Sequence, residues 1–269
     1  MDIFMISIFA FIIFCSLIYV AYQNTKKVNV NTIKVENKKI NKLKILQLSD
    51  IHLENISVTP EKLKELIGDE PIDLIALTGD FLERKRSIPK FIPYLKVLQE
   101  TNPKYGIFAV FGNHDYVLSK QNFKKLKDLL NQYGCTTLQN EHVTINVEGA
   151  CLNIIGIDDY STKRSDIEKS YQNLPDGYNL VLTHDPNIVL EMKDFHFDYL
   201  LSGHFHGGQI YWPKPYHLVK MGKLARKKII KGLHYAGEKP YYINEGLGQT
   251  GVNIRVKSRP EITFHMIVS

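Results

Sequence analysis

Short apolar runs that end directly in polar residues recur along this chain, and they constrain its fold more than any other feature. Three of them come early, at residues 44–48, 72–77 and 107–111. A helical pattern follows, as in the amphipathic segment 60–67, which Thr59 begins. Strand, polar cluster and helix in alternation predict an α/β fold, in which ligands gather beyond the carboxyl ends of the strands.

The residues at these strand ends are nitrogen and oxygen donors. Two later runs, 180–183 and 199–202, also end in histidines. In chain order the candidate donors are Asp50, His52, Asp80, Asn113, His114, His184, His204 and His206. Such donors without a thiolate suit Mn, Fe, Co or Zn, with Mn as the leading candidate. Each residue alone has an ordinary role as a cap, a turn former or a buried polar group, but all of them at successive strand ends favour a metal site.

Seven ligands are too many for one metal ion that must keep a coordination position open for water. Two divalent ions sharing one carboxylate would divide them evenly, and Asp80 is placed for that role. His204 and His206 would project to the same side of an extended backbone, toward adjacent ions. Such a pair of ions can bind a phosphoryl group and activate water. His114 is then left over to assist the leaving group, with Asp115 or another carboxylate fixing its tautomer.

The N-terminal segment predicts a membrane anchor. Residues 3–22 contain no charge, and twenty helical residues reach about 30 Å, the thickness of a bilayer core. A cleaved signal peptide is the alternative, but no basic segment precedes the run and no small-x-small site follows it. Lysines follow the run and none precedes it, so we expect a single-pass protein of the cell membrane with a cytoplasmic body. We divide the chain into an anchor at 1–24, a basic link with an edge strand at 25–43, and a catalytic domain at 44–269.

A basic stretch, residues 211–235, lacks acidic residues and interleaves its cations with aromatic and aliphatic side chains. The cations are Lys214, Lys220, Lys223, Arg226, Lys227, Lys228 and Lys231. The stretch is either a solvated loop or a surface that docks on anionic headgroups beside the active site. The excess of 34 basic over 28 acidic residues agrees with an anionic partner, and three scattered cysteines favour a reducing compartment.

The donor motifs together resemble the calcineurin-like metallophosphoesterase superfamily. They are Asp50-x-His52, Gly79-Asp80, Gly112-Asn113-His114-Asp115, His184 and Gly203-His204-x-His206, and the resemblance covers about residues 44–265. It implies a four-layer α/β/β/α sandwich, with two facing sheets and helices outside. It also implies that one ion is bound by Asp50, His52, Asp80 and His206, and the other by Asp80, Asn113, His184 and His204. His114 would assist the leaving group, and the complete ligand set implies an enzyme.

Further motifs resemble the membrane-associated bacterial branch of this superfamily, which includes UDP-2,3-diacylglucosamine pyrophosphatases and related envelope phosphoesterases. They are the N-terminal span, Gly207-Gly208-Gln209, Gly246-Leu247-Gly248 and Pro260-Glu261-Ile262. The leading hypothesis is therefore a membrane-anchored phosphohydrolase acting on a phosphoester or pyrophosphate bond, with a phosphorylated or lipid-linked substrate such as UDP-2,3-diacylglucosamine. A nuclease or cyclic-nucleotide phosphodiesterase is the second hypothesis, although a tethered enzyme meets nucleic acid poorly. A non-catalytic phosphate-binding or interaction module is the third. The substrate, native metal and oligomeric state stay open.

Overall fold

Twelve strands and six helices are found among residues 3–212, 215, 218 and 220–269, which the structure, a computed structural model, describes. The helices are α1 (Ile3–Asn24), α2 (Pro60–Ile67), α3 (Ile88–Glu100), α4 (Lys120–Gln132), α5 (Ile167–Ser170) and α6 (Lys223–Arg226). The strands are β1 (Asn29–Glu36), β2 (Lys42–Leu48), β3 (Leu74–Thr78), β4 (Ile107–Val110), β5 (Cys135–Thr137), β6 (Glu141–Val147), β7 (Ala150–Gly156), β8 (Tyr178–Leu182), β9 (Tyr199–Ser202), β10 (Gly232–Ala236), β11 (Lys239–Ile243) and β12 (Glu261–Val268).

The strands form two six-stranded mixed sheets. The first has the order β1-β12-β2-β3-β4-β5 and the second the order β10-β11-β9-β8-β7-β6. Strands β2 to β5 run parallel to one another, as do β7, β8, β9 and β11 in the second sheet. Parallel neighbours place their carboxyl ends at the same edge of a sheet. The polar segments that follow β2, β3 and β4 therefore lie side by side, and so do those that follow β8 and β9.

Three layers of apolar side chains hold the sheets and helices together. One lies between the first sheet and helices α2, α3 and α4, a second between the two sheets, and a third on the outer face of the second sheet. Strand β3 contributes to two of them, because Ile75 and Leu77 belong to the helix-side layer whereas Leu74 and Ala76 belong to the layer between the sheets. Each fully buried aliphatic side chain stabilises such a layer by about 1.5–3 kcal/mol. The α/β sandwich predicted for this chain is confirmed.

The structure confirms one local prediction, the start of helix α2, and corrects another, the conformation of the basic stretch. Helix α2 begins as expected, since the Thr59 hydroxyl accepts a hydrogen bond from the Lys62 amide at 3.2 Å. The basic stretch is not one loop, because α6 and the edge strand β10 lie within it. Strand β10 pairs with β11. Its extended conformation therefore depends on this pairing, which no local sequence pattern indicates. Residues 213, 214, 216, 217 and 219 of this stretch lie outside the described residues.

Helix α1 is exposed along most of its length, and among the described residues its C-terminal end is the part that contacts the domain. By length and composition it is apolar enough to cross a membrane, and Ala21 is its one buried residue among those described. The Arg255 amide donates to the Ala21 carbonyl at 2.9 Å, and the Asn24 side chain donates to the Arg255 carbonyl at 3.1 Å. The end of α1 is therefore fixed to the loop that precedes β12.

Candidate metal centre

The candidate donors lie in the loops that follow β2, β3, β4, β8 and β9, where the ends of the two sheets meet. The structure brings the carboxylate and imidazole donors into three overlapping groups whose donor atoms lie within 4.8 Å of one another: Asp50, His52 and His206; His52, Asp80 and His114; and Asp80, His184 and His204. The first sheet supplies the carboxylates, and the second sheet supplies three of the imidazoles. Each group combines residues far apart in the chain.

We call the donors Asp50, His52, Asp80 and His206 site A. His206 Nε2 lies 3.2 Å from His52 Nε2 and 3.3 Å from Asp50 Oδ1. His52 Nε2 lies 3.6 Å from Asp80 Oδ2. Two ligands that each lie about 2.1 Å from one ion are separated by about 3.0–3.4 Å at octahedral or tetrahedral angles. The separations in site A therefore fit a common divalent ion, with only a modest adjustment of the last pair.

We call the donors Asp80, Asn113, His184 and His204 site B. His184 Nε2 lies 3.0 Å from Asp80 Oδ2 and 3.2 Å from His204 Nδ1, again the separations expected around one ion. Asn113 Oδ1 is buried without a hydrogen-bond partner among the described residues. A buried amide oxygen without a donor costs free energy, and a cation would compensate for that cost. Asp80 Oδ2 belongs to both donor sets, so one carboxylate oxygen lies at the junction of sites A and B.

The backbone of these donors is strained in a consistent way. Five of the seven predicted ligands have positive φ, namely Asp50 (49°), His52 (41°), Asp80 (56°), His204 (77°) and His206 (50°). Residues other than glycine adopt this left-handed region at a cost of about 1–3 kcal/mol each, and such strain clusters at functional sites. We expected an extended backbone at His204 and His206, and this prediction is wrong. Both imidazoles reach the centre because the chain turns at each of them.

Hydrogen bonds fix the orientation of the fully buried ligands. His184 Nδ1 lies 2.8 Å from the Thr78 carbonyl oxygen, which can only accept, so Nδ1 carries the proton and Nε2 remains for an ion. Asp50 Oδ2 accepts from the Ser49 hydroxyl at 2.6 Å and from the His204 amide at 3.1 Å. Gly203 is required next to Asp50, because a Cβ at position 203 would collide with the Ser49 and Asp50 side chains.

Burial and the neighbouring charges shift the pKa values of the donors in different directions. Burial lowers the pKa of His52 to about 3 and, together with the adjacent His52, holds the pKa of His206 well below its usual value. Both imidazoles are therefore neutral near pH 7. Burial opposes ionisation of Asp80, but the attraction of His184 outweighs it and keeps the pKa of the Asp80 carboxyl below its usual value. Asp80 is accordingly a carboxylate. The attraction of Asp80 outweighs burial and raises the pKa of His184 well above its usual value, and burial raises the pKa of Asp50. An ion bound by these two donors would therefore displace a proton from each.

His114 and Asp115 have separate roles. Asp115 accepts hydrogen bonds from four backbone amides, those of Asp80, Phe81, Leu82 and Gly112, and so joins the loops after β3 and β4. The carboxylate that faces His114 is Glu83, whose Oε2 lies 3.1 Å from His114 Nδ1. Of the two alternatives left open by the sequence, the structure therefore favours another carboxylate over Asp115. The His114 amide also donates to Asp80 Oδ1 at 2.8 Å.

Sequence reasoning missed Arg255, which lies fully buried behind site A. Its two terminal guanidinium nitrogens lie within hydrogen-bond distance of the Ser258 hydroxyl and of five backbone carbonyls, those of His206, Glu245, Gly246, Gly248 and Arg259. It thereby ties His206 to the turn between β11 and β12. A lone arginine in a polar loop carries no signal of such a role in a single sequence.

The same turn lies directly against the loop after β2. Leu247 and Gly248 donate their amide protons to the carbonyls of Ser49 and Asp50 at 2.9 and 2.7 Å. Gly246 has a φ of +74°, and a Cβ there would lie 2.6 Å from the Asp50 Cβ. The glycines of Gly246-Leu247-Gly248 are therefore explained by this close approach behind site A.

The chain is similar in sequence to known metallophosphoesterases. The sequence model of the family described as calcineurin-like phosphoesterase matches residues 43–208, which include all seven predicted ligands. The chain is 69% identical over 216 residues to the uncharacterized metallophosphoesterase YkoQ of Bacillus subtilis (strain 168), with 80% of each chain covered. It is 30% identical over 218 residues to the uncharacterized metallophosphoesterase YkuE of the same strain, covering 78% of this chain and 74% of that relative. It is 30% identical over 202 residues to the phosphodiesterase YaeI of Escherichia coli (strain K12), covering 73% and 70%.

Proposed function

Since this chain belongs to the calcineurin-like phosphoesterase family and is a metal-dependent phosphoesterase, we propose that sites A and B each bind one divalent ion and together hydrolyse a phosphoester or pyrophosphate bond in a membrane-associated substrate. The observation that carries this proposal is the position of Asp80 Oδ2, which lies 3.6 Å from a donor of site A and 3.0 Å from a donor of site B. A shared carboxylate is the arrangement that keeps two ions within reach of one phosphoryl group.

The residues of the chain have distinct roles in this reaction. Divalent ions, when bound, supply positive charge to the phosphoryl oxygens and lower the pKa of a water molecule. Asp80 and Asp50 hold the ions as carboxylates, and the imidazoles of both sites complete their coordination. His114 is positioned by Glu83 through Nδ1, which leaves Nε2 to protonate the oxygen that departs as the bond from phosphorus breaks.

Manganese is the ion that we propose for both sites. The donors are carboxylate and amide oxygens and imidazole nitrogens, and the donor groups described contain no cysteine. Reconstitution of metal-free protein with Mn, Fe, Co or Zn, followed by activity measurement, tests this choice. Higher activity with Zn at equal occupancy would contradict it.

The proposed location is the cytoplasmic face of the cell membrane, with residues 1–24 as anchor and 44–269 as catalytic domain. Support comes from the exposed apolar surface of α1 and from the lysines that follow it. Exposed Trp212, Lys227 and Lys228 would add contacts to anionic headgroups. Protease treatment of intact and of permeabilised cells tests the orientation, because a cytoplasmic domain is cleaved only after permeabilisation.

The bond and the substrate can be identified by an activity screen of the full-length protein in detergent with Mn. The panel contains aryl phosphates, aryl phosphodiesters, phospholipids and nucleotide sugars such as UDP-2,3-diacylglucosamine. The similarity to a relative named phosphodiesterase supports a diester as the first bond to test. We expect turnover that the Asp80→Asn variant loses. Absence of turnover across the panel in protein that contains both ions would favour a phosphate-binding module instead.

A further inference from the structure

A cavity of about 670 Å³ opens beside site B. Its walls come from the loop after β7 (residues 160–165), the turn after β8 (185–191) and the segment that carries α6 (220–226). His204, a donor of site B, lines the same cavity. A substrate whose phosphoryl group lies at site B can therefore extend the rest of its structure into this space.

Basic side chains outnumber acidic ones in the walls of the cavity. Four basic side chains line it: Lys163, Lys220, Lys223 and Arg226. Among the described residues, none of the four has a carboxylate oxygen within the 4.0 Å of an ion pair. The two acidic residues in the walls have other hydrogen-bond partners. Asp185 accepts from the amide and side chain of Asn187, and Glu191 accepts from the Tyr160 hydroxyl.

The cationic wall is held in a fixed position relative to site B. The Asn187 side chain donates to the Met221 carbonyl at 2.9 Å and accepts from the Leu224 amide at 3.1 Å. Gly222 has a φ of +96°, and a Cβ there would lie 2.5 Å from the Asn187 side chain, so only glycine allows this contact. Asn187 follows the site B ligand His184 by three residues. The segment carrying Lys223 and Arg226 is thus attached to the same turn as a metal ligand.

We propose that this cavity binds a second anionic group of the substrate, so that the substrate class is phosphoesters that carry a further phosphate. The inference rests on the proposed function of sites A and B. Lys223 and Arg226 bind the second phosphate through charge-assisted hydrogen bonds. Leu190 and Met221, which also line the cavity, contact the organic part between the two anions.

The test compares the binding of two product-like ligands, glycerol 1-phosphate and glycerol 1,3-bisphosphate, to full-length protein that contains Mn. Isothermal titration calorimetry gives both dissociation constants. We expect the bisphosphate to bind about tenfold more tightly, the size of one good charged hydrogen bond. In the double variant Lys223→Gln/Arg226→Gln this preference disappears, while the dissociation constant of glycerol 1-phosphate stays unchanged.

A matched control removes two exposed cations of α3, in Lys90→Gln/Lys96→Gln, and should retain the preference. An equal affinity of wild-type protein for both ligands, or a preference that survives in the double variant, would overturn the inference. Hydrolysis of the p-nitrophenyl ester of glycerol phosphate is measured separately. Preferential bisphosphate binding without hydrolysis would refute the proposed function alone, whereas hydrolysis without this preference would refute the cavity assignment alone.

Discussion

Sites A and B share Asp80, and each takes donors from both sheets, yet they are held in different ways. Site A is stabilised through the backbone. Arg255 binds the His206 carbonyl, and the turn Gly246-Leu247-Gly248 packs on the loop that carries Asp50. His206 Nδ1 itself is buried without a partner among the described residues. Site B is stabilised through a side chain, since His184 Nδ1 lies against the Thr78 carbonyl.

The surroundings of the two sites also differ. Site A lies against the loop that also attaches the end of α1, whereas site B adjoins the cationic cavity through His204. Site A is thus backed by buried polar contacts, whereas site B adjoins the cavity that we propose for the substrate. Perturbations behind site A should lower metal affinity and stability together, whereas perturbations of site B should lower metal or substrate affinity with little effect on stability.

The largest effect is expected where the two sites join. Asp80→Asn removes the shared charge, so we expect occupancy of both ions to fall and kcat to drop about a thousandfold, equivalent to several kcal/mol of lost charge stabilisation. Asp50→Asn serves as the matched variant, because Asp50 belongs to site A alone and should release one ion. Metal content by mass spectrometry after dialysis separates the two results. Loss of both ions from Asp50→Asn would show that the sites are not independent.

Arg255→Met is the next largest perturbation, and it acts on site A from behind. The methionine leaves the buried carbonyls of Glu245 and Gly248 without a donor among the described residues, and since each unsatisfied group costs about 1–3 kcal/mol, we expect a loss of about 3 kcal/mol in the free energy of unfolding. Affinity for the ion in site A should fall about 10- to 100-fold. Thermal melts and metal titrations measure both quantities. Arg259→Met, at an exposed neighbour, should change neither, and an equal loss from both sites in Arg255→Met would contradict the comparison.

The roles of Arg255 and Glu83 also show where prediction from the sequence ends. The donors were predictable because strand ends are visible as apolar runs that stop at Asp, Asn or His. The two-sheet fold was predictable through its resemblance to a known family. Arg255 and Glu83 act through contacts between distant loops, and a lone arginine or glutamate in a loop has no periodicity. Strand β10 was missed for a similar reason, since its conformation depends on pairing with β11.

Asn113→Ala is the corresponding perturbation of site B. It removes the buried amide oxygen that lacks a hydrogen-bond partner among the described residues, so we expect affinity for the second ion to fall about 10- to 100-fold. The free energy of unfolding of the metal-free protein should fall little or rise, because an uncompensated polar atom is lost. Metal titration and denaturation of metal-free protein measure the two effects. A large destabilisation would mean that Asn113 supports the fold and does not bind an ion.

Glu83→Gln tests the orientation of His114 without touching either ligand set. A glutamine can still accept from His114 Nδ1 but does not stabilise a protonated imidazole by charge, so we expect kcat to fall about tenfold, a part of the roughly 10²- to 10⁴-fold contribution of a general acid. Metal content and KM should stay unchanged. Glu65→Gln on the exposed face of α2 is the control. The interpretation fails if Glu83→Gln loses metal, because Glu83 would then support a ligand.

The smallest functional effect is expected from Glu261, which lies behind site A without contacting its donors. Its carboxylate accepts from the Tyr242 hydroxyl and the Asn244 side chain, and burial raises the pKa of Glu261 to about 7. A pKa raised on folding means that the folded protein binds more protons. The contribution of Glu261 to the free energy of unfolding is therefore fully present below about pH 4.5 and is lost as the pH rises through about 7. Glu261→Gln does not titrate, so its stability should match that of the wild type near pH 4 and exceed it above pH 7 by up to about 3 kcal/mol. Thermal melts across this range measure the difference, while metal content should stay unchanged.

A parallel decline in both proteins would assign the pH dependence to other groups, and a loss of the ion in site A would show that Glu261 supports metal binding as well as the fold.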